Sequence, residues 1–460
     1  MTEAAGLDDS IGRYVLPITT LAAFLSPFGI FSLNVALPSI GSEFSMDAIL
    51  MNWVTSIYLL VSSIFLVPFG KIADIYGRKR IFSYGIMTFT LASAGCALSG
   101  SATMLLSFRI LQGIGAAAIY CIGATILTLV YPPGKLGRAL GINVAAVYIG
   151  GSVGPFLGGF LTHRVGWRSI FAVSAVLGLI IIFFVFWKLK GEWIEKEKKF
   201  DLAGSILYMV TLLLVMVGFS HLSSAVGIWL LLPGLAGAAA FVKLETGREN
   251  PVLDVRLFRK NRVFALSNLA TLINYSATFA VTFLLSLYLQ YVKQLTPEKA
   301  GLIMIAQPVV QAVVSPIAGR LSDRVEPRIV ASVGMVLTGA GLFMLGFLDY
   351  GTRVGFVLLS LVVLGAGFSL FSSPTINAVM SSVEHRFYGV ASGMLGTMRG
   401  MGMVFSMGMT LWMFSMYIGK VQITPEIYPA LLKCTKSGFN FFALLCFAGI
   451  FASYARGKVR

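Results

Sequence analysis

The chain alternates long apolar stretches with short polar breaks. Crossing a bilayer as a helix takes about 20 mostly apolar residues, and fourteen stretches qualify. They are 14–37, 51–69, 81–100, 103–130, 138–162, 168–188, 202–222, 226–243, 264–292, 299–318, 329–348, 354–378, 388–416 and 437–455. The breaks are Pro38, Gly70 with the charges after it, the Tyr131–Gly134 turn with its two prolines, and the charged run 188–201. Residues 1–13 hold Glu3, Asp8 and Asp9 with no basic segment before the first apolar run, and read as a polar tail rather than a cleaved leader.

The pattern predicts an all-α polytopic membrane protein of 14 transmembrane helices. A cytoplasmic N-tail (1–13) precedes a six-span half (14–188) and a cytoplasmic loop (189–201). Two inserted spans (202–243) and a second loop (244–263) lead into a second six-span half (264–455) and a cytoplasmic C-tail (456–460). Composition agrees: 57% of residues are hydrophobic and 12% charged, about half the charge of a soluble domain. A soluble enzyme, a disordered chain and a disulfide-stapled secreted domain are excluded. Cys96, Cys121, Cys434 and Cys446 are scattered and read as small buried side chains.

The net charge of +16 resolves by position. With both termini on one side, 25 of the 35 Lys and Arg fall on that side, 8 on the other and 2 inside spans. Cytoplasmic loops are enriched in Lys and Arg, so both termini are expected in the cytoplasm and the protein in the cell membrane. Termini on one side require an even span count, which agrees.

The two halves repeat. Gly70-Lys71-Ile72-Ala73-Asp74 ends the second span, and Gly319-Arg320-Leu321-Ser322-Asp323 ends the tenth. Gly141 and Gly150 in the fifth span are spaced as Gly393 and Gly402 in the thirteenth. Two repeated six-helix halves are the signature of a rocking carrier with its site between them. In the loop after the second span, Gly70 and Gly77 allow a tight reversal. Asp74 is placed to cap a helix of the opposite half, and Arg78, Lys79 and Arg80 sit at the anionic membrane surface. The plainer reading is a basic loop and nothing more.

These residues resemble the major facilitator superfamily, essentially over the whole chain. The loop Gly70, Asp74, Gly77, Arg78, Lys79 is similar to that family's gating loop. Gly141, Gly150, Gly154, Pro155, Gly158 and Gly159 resemble the helix-5 motif of its antiporters. Arg109-Ile110-Leu111-Gln112-Gly113 resembles its fourth-span motif. Fourteen spans, Asn34-Val35-Ala36-Leu37-Pro38 and Arg399 before Gly402 resemble its longer drug:proton antiporter branch. The resemblance implies a cavity lined by spans 1, 4, 9 and 12, with spans 2, 5 and 10 adding to it.

The substrate and coupling candidates are therefore Arg109, Gln112, Arg399, Asn34, Tyr58, Tyr148, Asn274, Tyr275, Gln307, Gln311 and Asn377, with Tyr120, Asn143 and Ser373 beside them. Each has a competing reading as a bond between helices. His163, His221 and His385 lie at span ends as lesser proton candidates.

One departure changes the chemistry. The branch commonly carries an aspartate where this chain has Gly29. All 19 acids fall in loops or at span ends, and the ionised groups deep in spans are Arg109 and Arg399. A cation at mid-membrane would meet two positive charges and no carboxylate, which aromatic faces offset by only about 0.5–2 kcal/mol each. The expected function is a secondary active carrier that exports amphipathic neutral or anionic molecules, with a proton gradient as candidate energy source through Asp74 or Glu298. A facilitator or importer without proton antiport stands as the alternative, and a non-transporting receptor as a third. No Walker A or hydrolase motif is present. The expectation is a non-enzymatic monomer without cofactor or metal, whose partners are a small-molecule substrate and the bilayer and not nucleic acid.

Overall fold

The computed structural model describes residues 9–131, 133–189, 192, 201–221, 224–247, 258, 261–383 and 388–457. They form α1 (Asp9–Glu43), α2 (Ala48–Tyr76), α3 (Arg78–Ala97), α4 (Ala102–Val130), α5 (Pro133–Arg164) and α6 (Arg168–Lys188). The inserted pair is α7 (Leu202–Ser220) and α8 (Ala225–Thr246). α9 is built from Arg262–Thr278, Ala280–Leu287 and a π-turn, Tyr288–Val292. α10 joins Pro297–Met304 to Ala306–Arg324. α11 (Pro327–Leu345), α12 (Val354–Ser381), α13 (Tyr388–Tyr417) and α14 (Tyr428–Ala455) complete the chain. Among the described residues, twelve of these helices are long and apolar enough to cross a membrane; α3 and α13 are the other two.

Helix starts follow local chemistry. The side chains of Asp47, Ser101, Asn261 and Thr296 accept from the backbone N–H three residues on, satisfying donors that a first turn leaves open. Two expected breaks are corrected. Pro38 lies inside α1, and α2 runs through Gly70 and the charged residues to Tyr76. A proline removes one backbone bond, which a helix continuing past the apolar layer tolerates. The reversal sits instead at Gly77, whose φ of 112° is a region that side chains disfavour. Water-facing turns extend the helices beyond the stretches that hydropathy marks.

The halves repeat in packing as well as sequence. α1 packs on α5, α2 and α3 on α4, and α3 on α6; correspondingly α9 packs on α13, α10 and α11 on α12, and α11 on α14. Gly150 approaches α1 so closely that a Cβ would stand 2.6 Å from the Phe24 carbonyl oxygen. Gly402 approaches α9 equally, 2.7 Å from the Leu272 oxygen. Gly141 and Gly393 would both meet open space.

The outward faces carry Leu91, Trp229 and Phe451, each at least 70% exposed. Such a belt is unstable against water and suits lipid. The chain is a multi-pass membrane protein.

The halves meet along two seams, α5 on α10 and α2 on α13. α7 lies over the second: Phe219 stacks edge-on against Phe405 at 4.7 Å, and the Tyr208 hydroxyl donates to the Ser63 carbonyl at 3.3 Å. α8 packs on α7 and is largely exposed.

The end opposite the chain termini is closed. There Gln290 donates to the Val35 carbonyl at 2.8 Å, Ala48 N–H to the Val421 carbonyl at 3.3 Å and Gln422 to the Ser45 carbonyl at 2.9 Å. Gly159 lies against the Pro297 carbonyl, and Gly301 reciprocally against that of Pro155. Within the first half, Glu43 accepts from both terminal guanidinium nitrogens of Arg168, at 2.9 and 2.6 Å, and from Trp167 Nε1 at 2.6 Å.

Overpacking a tight contact costs about 1–3 kcal/mol. Gly150→Ala and Gly402→Ala should each lower the thermal unfolding midpoint of detergent-purified protein by several degrees. Gly141→Ala and Gly393→Ala should leave it unchanged or slightly raised.

Candidate functional site

Four of the expected residues and one neighbour converge at mid-depth. Tyr120 on α4, Tyr148 on α5, Tyr275 on α9 and Arg399 on α13 lie roughly ten to fifteen residues from the terminus-bearing ends of their helices. At 1.5 Å per residue that is about 15–22 Å, near the middle of an apolar layer about 30 Å thick. The Arg399 guanidinium stands 5.6 Å from the Tyr275 ring centre, with the hydroxyls of Tyr120 and Tyr148 near enough to act on its charge. Ser372 on α12 closes the group, 3.4 Å from the Tyr148 hydroxyl. Tyr120 and Tyr148 come from the first half; the other three come from the second. Tyr120 is 41% exposed at this depth, so one edge of the group is accessible.

Arg109 has a different environment. It is buried, donates through Nε to the Val54 carbonyl at 3.0 Å and through a terminal nitrogen to Gln112 Oε1, and stacks 4.2 Å from the Tyr58 ring centre. Gln112 in turn donates to Ser93 at 2.8 Å, and the Tyr58 hydroxyl pairs with Ser26 at 2.7 Å. Arg109, Gln112 and Tyr58 thus tie α1, α2, α3 and α4 together.

A further buried guanidinium is a correction. Arg456 belongs by sequence to the C-tail, yet it is fully buried and donates to the Pro327 carbonyl at 2.6 Å and to Ser267 and Thr375 at 3.4 Å. It does for α9, α11 and α12 what Arg109 does for the first half. No hydropathy signal separates it from a solvated tail cation.

The other candidates scatter. Asn34 is buried and accepts from Thr55 at 3.0 Å. Asn274 is buried with both side-chain polar atoms unpaired among the described residues. Asn143 is nearly buried with its Nδ2 unpaired in the same sense. Gln307 and Gln311 on α10 are half-buried, and their carbonyls line the contact with α12 at Gly365 and Ser369. Asn377 donates to Ser322 at 3.1 Å, and Ser373 pairs with Ser315 at 2.9 Å.

In the gating loop, Asp74 accepts from Arg78 Nε at 3.0 Å, and the two form an ion pair at 2.8 Å. A Cβ at Gly70 would stand 2.9 Å from Cys121 Sγ. The side chain of Asp323 and residues 384–387, with His385, lie outside the described residues. Sequence reasoning missed Glu192. Its carboxylate accepts the backbone N–H groups of Lys79 and Arg80 at 2.8 and 3.2 Å, at the start of α3. Nothing in a charged loop marks one glutamate for that role.

The helix-5 motif packs as its small residues suggest. Gly150, Gly154 and Gly158 face α1, where Ser32 donates to the Gly154 carbonyl at 2.9 Å. Gly159 faces α10 across the seam. Beside it Glu298 of the second half approaches Arg164 at 3.8 Å and His163 at 4.0 Å. His221 instead rests on the Val217 carbonyl at 3.0 Å, at the end of α7.

These environments separate stability from recognition. A hydrogen bond to a buried charged group contributes about 1.5–3 kcal/mol. Arg109→Met and Arg456→Met should lower the thermal midpoint of purified protein by several degrees. Arg399→Met should shift it by no more than a degree or two.

Comparison with known proteins agrees with this architecture. The family model described as Major Facilitator Superfamily matches residues 19–407 and 267–458. The riboflavin transporter RibZ of Clostridioides difficile (strain 630) is 29% identical over 440 residues, covering 95% of each chain. The multidrug resistance protein Stp of Mycobacterium tuberculosis (strain CDC 1551 / Oshkosh) is 32% identical over 399 residues, covering 84% of this chain and 73% of that protein. A bacterial homolog of the human lysosomal transporter Spinster, in an inward-facing and unoccupied conformation, superposes with a TM-score of 0.69 at 17% identity, over 98% of this chain and 96% of that one. The opposed six-helix halves, the shared mid-depth site and the family match lead to one conclusion: this chain is a transporter-type membrane protein belonging to the major facilitator superfamily.

Proposed function

We propose that the protein is a secondary active exporter working by alternating access, in the fourteen-span drug:proton antiporter branch. Both termini face the cytoplasm, and the protein works as a monomer in the cell membrane. The observation that carries this reading is the pairing of a sealed end, opposite the termini, with a polar group from both halves at mid-depth. With the termini inside, a closed far end is what an inward-facing state requires, and from that state an exporter loads.

Its cargo is an amphipathic molecule, neutral or anionic. No Asp or Glu stands among the interaction partners of Arg399, and a cation brought there would be repelled. The likeness to the multidrug resistance protein Stp supports export of organic molecules, and that to the riboflavin transporter RibZ supports a planar, largely uncharged cargo. Glu298 is the candidate proton carrier, since outward opening along the α5–α10 seam would part it from His163 and Arg164 and expose it.

The test is transport by reconstituted protein in vesicles with an imposed pH gradient. Accumulation of neutral or anionic amphiphiles that collapses on adding a protonophore is expected. Equilibration indifferent to the protonophore would establish a facilitator instead. Strong saturable transport of a permanent dication would overturn the charge argument.

A second measurement uses Gly29, where an added Cβ meets no atom within 4 Å. Gly29→Asp should fold normally and gain efflux of a lipophilic monovalent cation, at least several-fold over the parent protein.

A further inference from the structure

We propose that Arg399, Tyr120, Tyr148, Tyr275 and Ser372 form an oxyanion-reading subsite, which binds a flat aromatic molecule through a carboxylate on its ring. The proposal rests on the carrier reading above and names the substrate class of its central site.

The guanidiniums of Arg109, Arg456 and Arg399 must each be neutralised or solvated by protein, because an isolated charge is expensive in a low dielectric. Arg109 and Arg456 are held by backbone carbonyls. Among the described residues Arg399 donates to no backbone carbonyl and has no carboxylate partner; each of the three guanidiniums keeps one buried nitrogen without a hydrogen-bond partner, but only Arg109 and Arg456 have a backbone carbonyl on another. Its surroundings are phenol rings and hydroxyls drawn from both halves. Such a group supplies what an aromatic carboxylate needs. The guanidinium offers paired N–H donors to two oxygens in charge-assisted bonds. The tyrosine and serine hydroxyls are further donors, and the rings give the aromatic body faces to pack against. The long contact between Tyr148 and Ser372, 3.4 Å, is easily exchanged for bonds to a ligand oxygen. A ligand held there would join first-half tyrosines to a second-half arginine, and so bridge the two bodies that must move.

A neutral amphiphile fits the rings but leaves the guanidinium unmatched, and an organic cation opposes it. The preference is therefore for anion over isosteric ester, and for ester over amine.

The experiment is equilibrium binding to the purified full-length protein in detergent, without any gradient, using naphthoate, methyl naphthoate and naphthylmethylammonium. Naphthoate should bind about tenfold or more tightly than the ester, a factor that one charge-assisted bond readily supplies, and the ammonium should bind most weakly. Arg399→Gln should abolish the preference for naphthoate while keeping ester affinity within about twofold. Arg399→Lys, which keeps the charge but loses the fork, should retain only part of it. Should Arg399→Gln prove unstable, Arg399→Lys carries the test, since it must weaken naphthoate more than the ester. Equal binding of naphthoate and ester to the parent protein, or an undiminished preference in the Arg399 variants, would overturn the proposal. Failure of transport in vesicles with this binding preference intact would overturn the carrier reading and leave the subsite standing.

Discussion

A guanidinium shut away from water cannot be solvated by lipid, so the protein must solvate it. Most of the architecture around Arg109, Arg399 and Arg456 follows from that constraint. Two of these arginines are met by backbone carbonyls that helix geometry leaves reachable. Each answers the constraint by joining helices of its half, Arg109 tying α1 to α4 with Tyr58 and Gln112 and Arg456 tying α9, α11 and α12, which stiffens that half. Rigidity within halves is what lets motion concentrate between them. Arg399 is answered by phenol rings and hydroxyls from both halves, so its solvation depends on how the halves stand. The same electrostatic cost that stabilises the bodies thus becomes sensitive to their relative position and to what lies between them.

The seams between the halves rest on a different economy. In an apolar solvent, helix association depends on close packing more than on water exclusion, and close packing needs small residues. The Gly159–Pro297 and Gly301–Pro155 approaches bring α5 and α10 backbone to backbone at the closed end. The α2–α13 seam uses a polar contact, Asn52 to the Met407 carbonyl at 3.4 Å, and α7 lies over it. The inserted pair therefore marks one seam and leaves the other open to lipid. That asymmetry gives α7 a place in the fold which its featureless apolar sequence does not announce. The methionines of α13 divide similarly: Met394, Met407 and Met409 are buried, so that helix packs them inward rather than presenting them to lipid.

Much of the fold was legible. Hydropathy marked the fourteen apolar segments, and equal spacings at Gly141/Gly150 and Gly393/Gly402 announced a repeat that recurs in the packing. Positions of helix ends were less legible, because charged and proline-bearing turns continue as helix outside the apolar layer, as at Lys71 and Pro38. The site was legible by depth and illegible by direction. Arg109 and Arg399 look alike as arginines inside apolar runs, yet one is wrapped by α2 and α4 and the other lies among tyrosines of both halves. Tyr120, Tyr148 and Tyr275 share a depth with Arg399, a signal that counting residues from the helix ends would have found. For Glu192 and Arg456 there was no signal, since their roles depend on chain segments far away in sequence.

The division has a geometric cause. A helix rises by a fixed amount per residue and the bilayer has a fixed thickness, so sequence alone determines which residues span the membrane and how deep each one lies. It also determines the balance of charge there, two arginines and no acid. The direction of a side chain around its helix axis is set by the neighbours that pack on each face, and those come from distant parts of the chain. Only the tertiary structure could decide that Arg109 is a tie between helices, that Arg456 is buried, and that Arg399 meets three tyrosines where the halves come together.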